Sequence, residues 1–217
     1  PACEEPTELT TTDIISDKAT INWGNTGNYD IEWGPEGFIQ GEGTLVNNYN
    51  GDNYTLTDLS PLTSYDVYIR QDCIYDITDW VKITFSTIAV CPPSYIAFDT
   101  QAKLDDYKIN YPNCTNYPHT LYISENSSLI DDLSAFENLE SINGWLIIGG
   151  VDVFDLDVFS NLTSMNGEIH IYTNHNLSDI SGLSNIDISG ITGLYINSNV
   201  NLNVCNLENF CNYLSLW

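Results

Sequence analysis

Cations are scarce in this chain. Lys and Arg number 5 against 30 Asp and Glu, for a formal charge of −25. The five are Lys18, Arg70, Lys82, Lys103 and Lys108. They cannot build a basic patch, so nucleic acid and anionic membrane surfaces are repelled. No apolar run reaches the length of about 18 residues that a spanning helix needs. The opening Pro1-Ala2-Cys3-Glu4-Glu5 has no signal-peptide pattern and reads as the start of a mature or trimmed chain. No complete Asp/Asn calcium loop occurs. The stretch Asn47-Asn48-Tyr49-Asn50-Gly51-Asp52 is a fragment of one, and an Asn/Gly turn explains it equally well. No cofactor is expected; calcium stays open, with no complete motif behind it. No Cys/His cluster has zinc spacing, so no metal ligands are assigned. No Ser/His/Asp ordering, phosphate loop or dinucleotide fingerprint is present either. The histidines are His119, His170 and His175. Glu168 stands two residues from His170, a weak pair for acid–base work. The chain is therefore not expected to be an enzyme.

The rest of the composition supports packed structure. Hydrophobic residues make up 42% and aromatics 12%, enough to fill real cores. The acidity then reads as a solvating surface, suited to saline water where repulsion is screened. In the second half an apolar pattern returns about every 24 residues. The strand cores are Leu121-Tyr122-Ile123, Leu146-Ile147-Ile148, Ile169-His170-Ile171 and Leu194-Tyr195-Ile196. A matching series follows each of the first three. It reads Leu133, Phe136, Leu139, Ile142, Gly144, then Leu156, Phe159, Leu162, Met165, Gly167, then Ile180, Leu183, Ile186, Ile191, Gly193. A single coil cannot bury its apolar edge, so neighbouring coils stack into a solenoid.

Strand alternation assigns the faces. Leu121, Ile123, Leu146, Ile148, Ile169, Ile171, Leu194 and Ile196 point inward. Tyr122, Ile147, His170 and Tyr195 form an outward column, with Trp145 beside Ile147 and Tyr172 beside His170. An aromatic strip on a regular sheet suits a partner, either a sugar ring or a protein surface. Strand propensity and cross-strand pairing account for such residues without any ligand.

Residues 1 to 88 read as a small antiparallel β domain with Gly/Asn turns. Its strands include Thr20–Trp23, Tyr29–Trp33, Tyr65–Arg70 and Val81–Phe85, with Asp30 and Glu32 expected to face water. Ile88-Ala89-Val90-Cys91-Pro92-Pro93 is the expected linker. Residues 91 to 217 form the second domain. Thr100 is positioned to cap a helix over 100–107, and 205–214 reads as a closing helix. The six cysteines fit a disulfide framework in an oxidising compartment. Position favours Cys205–Cys211 at the end of the stack, Cys91–Cys114 at its start, and Cys3–Cys73 in the first domain. The tripeptides beginning at Asn53, Asn113, Asn126, Asn161 and Asn176 match the glycosylation pattern, several of them by chance in so Asn-rich a chain.

The first domain resembles a fibronectin type III domain, an immunoglobulin-like β-sandwich. The residues that carry the likeness are Trp23, Tyr29, Ile31 and the stretch Leu59-Ser60-Pro61-Leu62-Thr63-Ser64-Tyr65. In that family the tyrosine at the place of Tyr65 bonds back to the upstream backbone. The second domain resembles the receptor L domain, a leucine-rich-repeat-like right-handed β-solenoid with capping helices. The strand cores, the L-x-x-[LF]-x-x-[LI] series, Gly144, Gly167 and the Cys-Pro-Pro start carry that likeness. Both variants look like those of secreted bacterial proteins. A strict leucine-rich repeat places Asn at a fixed site after the strand. Asn126, Asn174, Asn176, Asn199 and Asn201 occur in those loops, in a register that varies along the sequence.

The resemblance implies a mainly β, non-catalytic protein at the cell surface or outside the cell. It is expected to recognise an extracellular glycan or protein through Tyr122, Trp145, Ile147, His170, Tyr172 and Tyr195. The rival readings are spacer modules of a larger surface protein and accessory modules of a secreted hydrolase.

Overall fold

A computed structural model of the chain describes residues 3–73, 75–124, 129–204 and 207–215. The chain divides into two compact units, Pro1–Ala89 and Val90–Trp217.

The first unit is a β fold. Its strands are β1 (Thr10–Thr12), β2 (Ala19–Pro35), β3 (Thr44–Leu56), β4 (Ser64–Cys73), β5 (Asp76–Ile77) and β6 (Val81–Ser86). All of them pair antiparallel: β1 and β3 with β2, β2 with β4, and β4 with β5 and β6. β2 merges two expected strands, because the turn-like Gly24–Gly27 region is carried as an irregularity in the β2–β3 ladder. The Asn47–Asp52 stretch lies inside β3, so it is strand and not the Asn/Gly turn read from the sequence. Alternating residues of β2 and β4, including Ile21, Tyr29, Ile31, Val67 and Ile69, are fully buried and form the core. Trp23 sits edge-on to Tyr29 at 5.1 Å. The Tyr65 hydroxyl accepts the Ser60 N–H at 2.9 Å. Cys3 and Cys73 are disulfide-bonded.

Asp30 and Glu32 do not face water. They are 4% and 3% exposed, and Asp66 is fully buried beside them. Each carboxylate has built partners, which is what lets it stay inside. Asp30 takes a two-nitrogen clamp from Arg70 at 2.8 and 3.0 Å. Glu32 accepts the N–H groups of Gly41 and Gly43 and so pins the loop that leads to β3. Asp66 accepts from Thr84, from the Gly37 N–H and from Lys82.

The second unit starts with β7 (Ala97–Phe98) and α1 (Gln101–Asn110). Thr100 occupies the N-cap, but its side chain makes no capping bond there. α1 buries Leu104 and Tyr107. The repeating strands follow as β8 (Asn116–Tyr117), β9 (Leu121–Ser124), β10 (Ser141–Ile142), β11 (Leu146–Gly149), β12 (Ser164–Met165), β13 (Gly167–Tyr172) and β14 (Ile191–Asn197), and α2 (Glu208–Leu214) ends the unit. β7, β9, β11, β13 and β14 make a parallel five-stranded sheet, and β8, β10 and β12 a parallel three-stranded one. The register puts Leu121, Leu146, Ile169 and Leu194 side by side. Leu121, Ile123, Leu146, Ile148, Ile169 and Ile171 are all fully buried. Leu194 and Ile196, on the last strand, are only partly buried.

Two asparagine ladders tie successive repeats of the second unit. Asn138, Asn161, Asn185 and Asn209 each donate a side-chain N–H to a backbone carbonyl one coil back: Pro112, Glu137, Ser160 and Leu183 respectively. After the long strands, Asn174 donates to the Ile148 carbonyl and Asn199 to the Ile171 carbonyl. Asp132, Asp155 and Asp179 accept the N–H two residues on and start the short 3-10 turns Ser134–Phe136, Asp157–Phe159 and Ser181–Leu183. Some of the acidity is thus structural. Cys91 and Cys114 are disulfide-bonded. The expected Cys205–Cys211 pair involves Cys205, which lies outside the described residues. Cys211 is exposed on α2 and bonded to no described cysteine. The tripeptide at Asn126 also lies outside the described residues.

Candidate ligand-binding face

The parallel register of the five-stranded sheet decides which side chains share its outer face. It aligns Ala97, Tyr122, Ile147, His170 and Tyr195 in one row. Parallel neighbours lie about 4.8 Å apart, so rings in one row are held at stacking distance. His170 lies between two aromatic rings. Its ring centroid is 5.4 Å from that of Trp145, with planes 10° apart, and 4.5 Å from that of Tyr195, with planes 26° apart. Its Nε2 meets Glu168 Oε2 at 2.7 Å. A stacked ring has its faces covered by its neighbours, so solvent meets ring edges and the outer faces of the two end rings. Trp145 is 43% and Tyr195 49% exposed. Tyr122, Ile147, His170 and Tyr172 are half-buried.

Glycines make room for this layer. A side chain at Gly149 would collide with the Tyr172 ring at 2.4 Å. Gly167, at φ +153°, faces the Trp145 ring at the same separation, and Gly193 lies under Tyr195 and Glu168. The Trp145 and Tyr172 rings lie over bare backbone of a neighbouring strand, and the Tyr195 ring over a glycine of its own strand. Sequence reasoning identified Gly144 and Gly167 as repeat markers but not as seats for aromatics.

Five of the six expected face residues lie in strands of this sheet, and Trp145 directly precedes β11. Trp145, His170 and Tyr195 join one stack, with Ile147 and Tyr122 in the aligned row and Tyr172 over Gly149. Tyr95 was missed. It is 52% exposed and electrostatically coupled to Tyr122, and burial is the main reason its phenol is held above the usual range. It stands two residues before β7 and outside any strand, so alternation along the sequence did not assign it to a face.

The face offers aromatic edges, phenol hydroxyls, an imidazole and one carboxylate. That inventory serves contact and hydrogen bonding. Among the described residues no group of three or more His, Cys, Asp or Glu is placed to hold a metal ion. Among the described residues no helix is long and apolar enough to cross a membrane.

The fold and its face set the class: a β-rich chain with paired disulfides and a built outer sheet surface. The family model of the Receptor L domain matches residues 113–215, most of the second unit. Solved structures similar to part of the chain include the FN5 domain of Drosophila Lar, 18% identical, covering 41% of this chain and 99% of that one at a TM-score of 0.35. The fn3 domain of human collagen alpha-1(XX) is 21% identical, covering 43% and 92% at 0.36. The FN1-FN3 domains of chicken CNTN1 are 17% identical, covering 41% and 32% at 0.37. A search among curated proteins finds no match.

Proposed function

We propose that this chain is a non-catalytic recognition protein of the cell exterior. In this reading the coils of the second unit form a right-handed solenoid, and its outer sheet binds an extracellular glycan or protein. The first unit serves as a spacer. The Receptor L domain match and the two disulfides support an extracellular binding role. The observation that carries the choice of surface is the Trp145–His170–Tyr195 stack, whose end rings stay about half exposed over glycines that leave room for them. Preorganised aromatics lose little freedom on binding, which is what an interface anchor needs.

The test is a pair of variants, Trp145→Ala and Tyr195→Ala, scored against whichever ligand an array of extracellular glycans and proteins returns. Each truncation should weaken affinity by roughly tenfold or more, the scale of an interface anchor. Unchanged affinity in both would remove the sheet face as the binding surface.

A further inference from the structure

We infer that the outer edge of β14 is a strand-acceptor site. It takes an extended segment of a partner polypeptide, laid parallel to β14, with aliphatic residues at positions i and i+2 and an asparagine three residues after the second.

The preceding coils show what covers such an edge. β9 is covered by β11, β11 by β13 and β13 by β14, each in parallel register. Among the described residues β14 pairs with β13 alone. Backbone direction alternates along a strand, so its carbonyls point in turn to the coil before and the coil after. On β13 the Tyr172 carbonyl accepts from Gly150, one coil back, while the Ile171 carbonyl accepts from Asn199, one coil on. On β14 the Asn197 carbonyl accepts from Thr173, one coil back. The same count turns the Leu194 and Ile196 carbonyls outward.

The asparagine ladder gives the register. Asn174 donates to the Ile148 carbonyl and accepts the Val151 N–H. Asn199 donates to the Ile171 carbonyl and accepts the Asn174 N–H. The next rung would donate to the Ile196 carbonyl and accept the Asn199 N–H. Apolar burial stops at the same place. Leu194 and Ile196 are only partly covered and line a hollow with Leu202 and Phe210. The other ladder does reach its end, because Asn209 on α2 donates to Leu183 and Ile186. The occupant is read from continuity with the inter-coil interface: L-x-I-x-x-N is the pattern that fills it at Leu194, Ile196 and Asn199. Strand addition to an open edge joins backbone hydrogen bonds to side-chain pockets, which supply affinity and selectivity respectively.

The probe is a synthetic peptide copying residues 190–203, titrated into the full chain. Binding should saturate and slow amide hydrogen exchange over Ile191–Asn197. A peptide with Leu194→Asp and Ile196→Asp should bind at least about tenfold more weakly, since two aliphatic contacts are lost. In the protein, Ile196→Pro removes an N–H that faces outward and should block the peptide while Trp145→Ala does not. No saturable binding, equal binding of the Asp-substituted peptide, or protection confined to β9, β11 and β13 with none on Ile191–Asn197 would each overturn the proposal. The peptide substitutions leave the protein untouched, so a misfolded Ile196→Pro variant does not blunt the test.

Discussion

Asp66 shows how a charge is kept inside the first unit. Burial works against its ionised form, but hydrogen bonds from Lys82, Thr84 and the Gly37 N–H outweigh that and hold its carboxyl below the usual range. A carboxyl lowered by folding binds its proton less readily in the native state than in the unfolded one. Its stabilising contribution is therefore complete above the unfolded pKa and is lost as pH falls through the folded one. Asp66→Asn should lower stability at neutral pH by about 1–3 kcal/mol, because a charge-assisted partner is lost at a buried site. It should also flatten the loss of stability on acidification. Thermal melts across an acid pH series check both; an unchanged acid slope would assign that slope to other carboxylates. Asn174 is the uncharged counterpart. It is fully buried, and its amide uses both ends to join neighbouring coils.

The strand-and-turn repeat is the recurring element of the second unit, and one glycine sets how closely its third copy approaches the second. Ala135, Val158 and Gly182 occupy equivalent places in the Asp-led 3-10 turns. Only the last cannot grow: a Cβ at Gly182 would lie 1.9 Å from the Leu156 carbonyl oxygen. That atom is backbone and cannot swing away, so the third repeat would have to move off the second. Gly182→Val should cost roughly 3 kcal/mol or more, beyond ordinary overpacking. Gly37→Ala is the control, since nothing lies near that position, although its φ of +82° carries a small backbone cost of about 1 kcal/mol. Equal melting of the Gly182→Val variant and the parent would refute the close approach. The apolar period of these coils was readable in the sequence, because burial demands aliphatics at fixed intervals. The asparagine ladders were not. Asn174 and Asn199 both stand three residues after the second core isoleucine, but Val151 interrupts the pattern, so along the sequence the register looked irregular.

At the scale of the molecule the charge of −25 governs solution behaviour. The few cations are mostly committed: Arg70, Lys82 and Lys103 pair with Asp30, Asp66 and Asp99. Most of the carboxylates therefore repel one another across the surface, a cost that salt screens with a Debye length near 10 Å at about 0.1 M. Melting temperature should rise as sodium chloride goes from about 10 mM to several hundred millimolar. A flat or falling curve would mean that local ion pairs outweigh the long-range repulsion. The candidate face should respond less, since its main contacts are ring stacks and hydrogen bonds.

Alternation and period are local properties of a chain, and each strand and coil must bury its own apolar side. From the sequence alone the repeating second half, the antiparallel first half, and the side chains of the outer row could be read. Tertiary structure decided how the polar groups were used. Asp30, Glu32 and Asp66 went inside because folding brought Arg70, Gly41, Gly43, Lys82 and Thr84 to them from distant positions. His170 entered a stack because coil register set Trp145 and Tyr195 on either side of it. A polar residue's place depends on partners that only the closed chain assembles, whereas an apolar residue needs only to leave water.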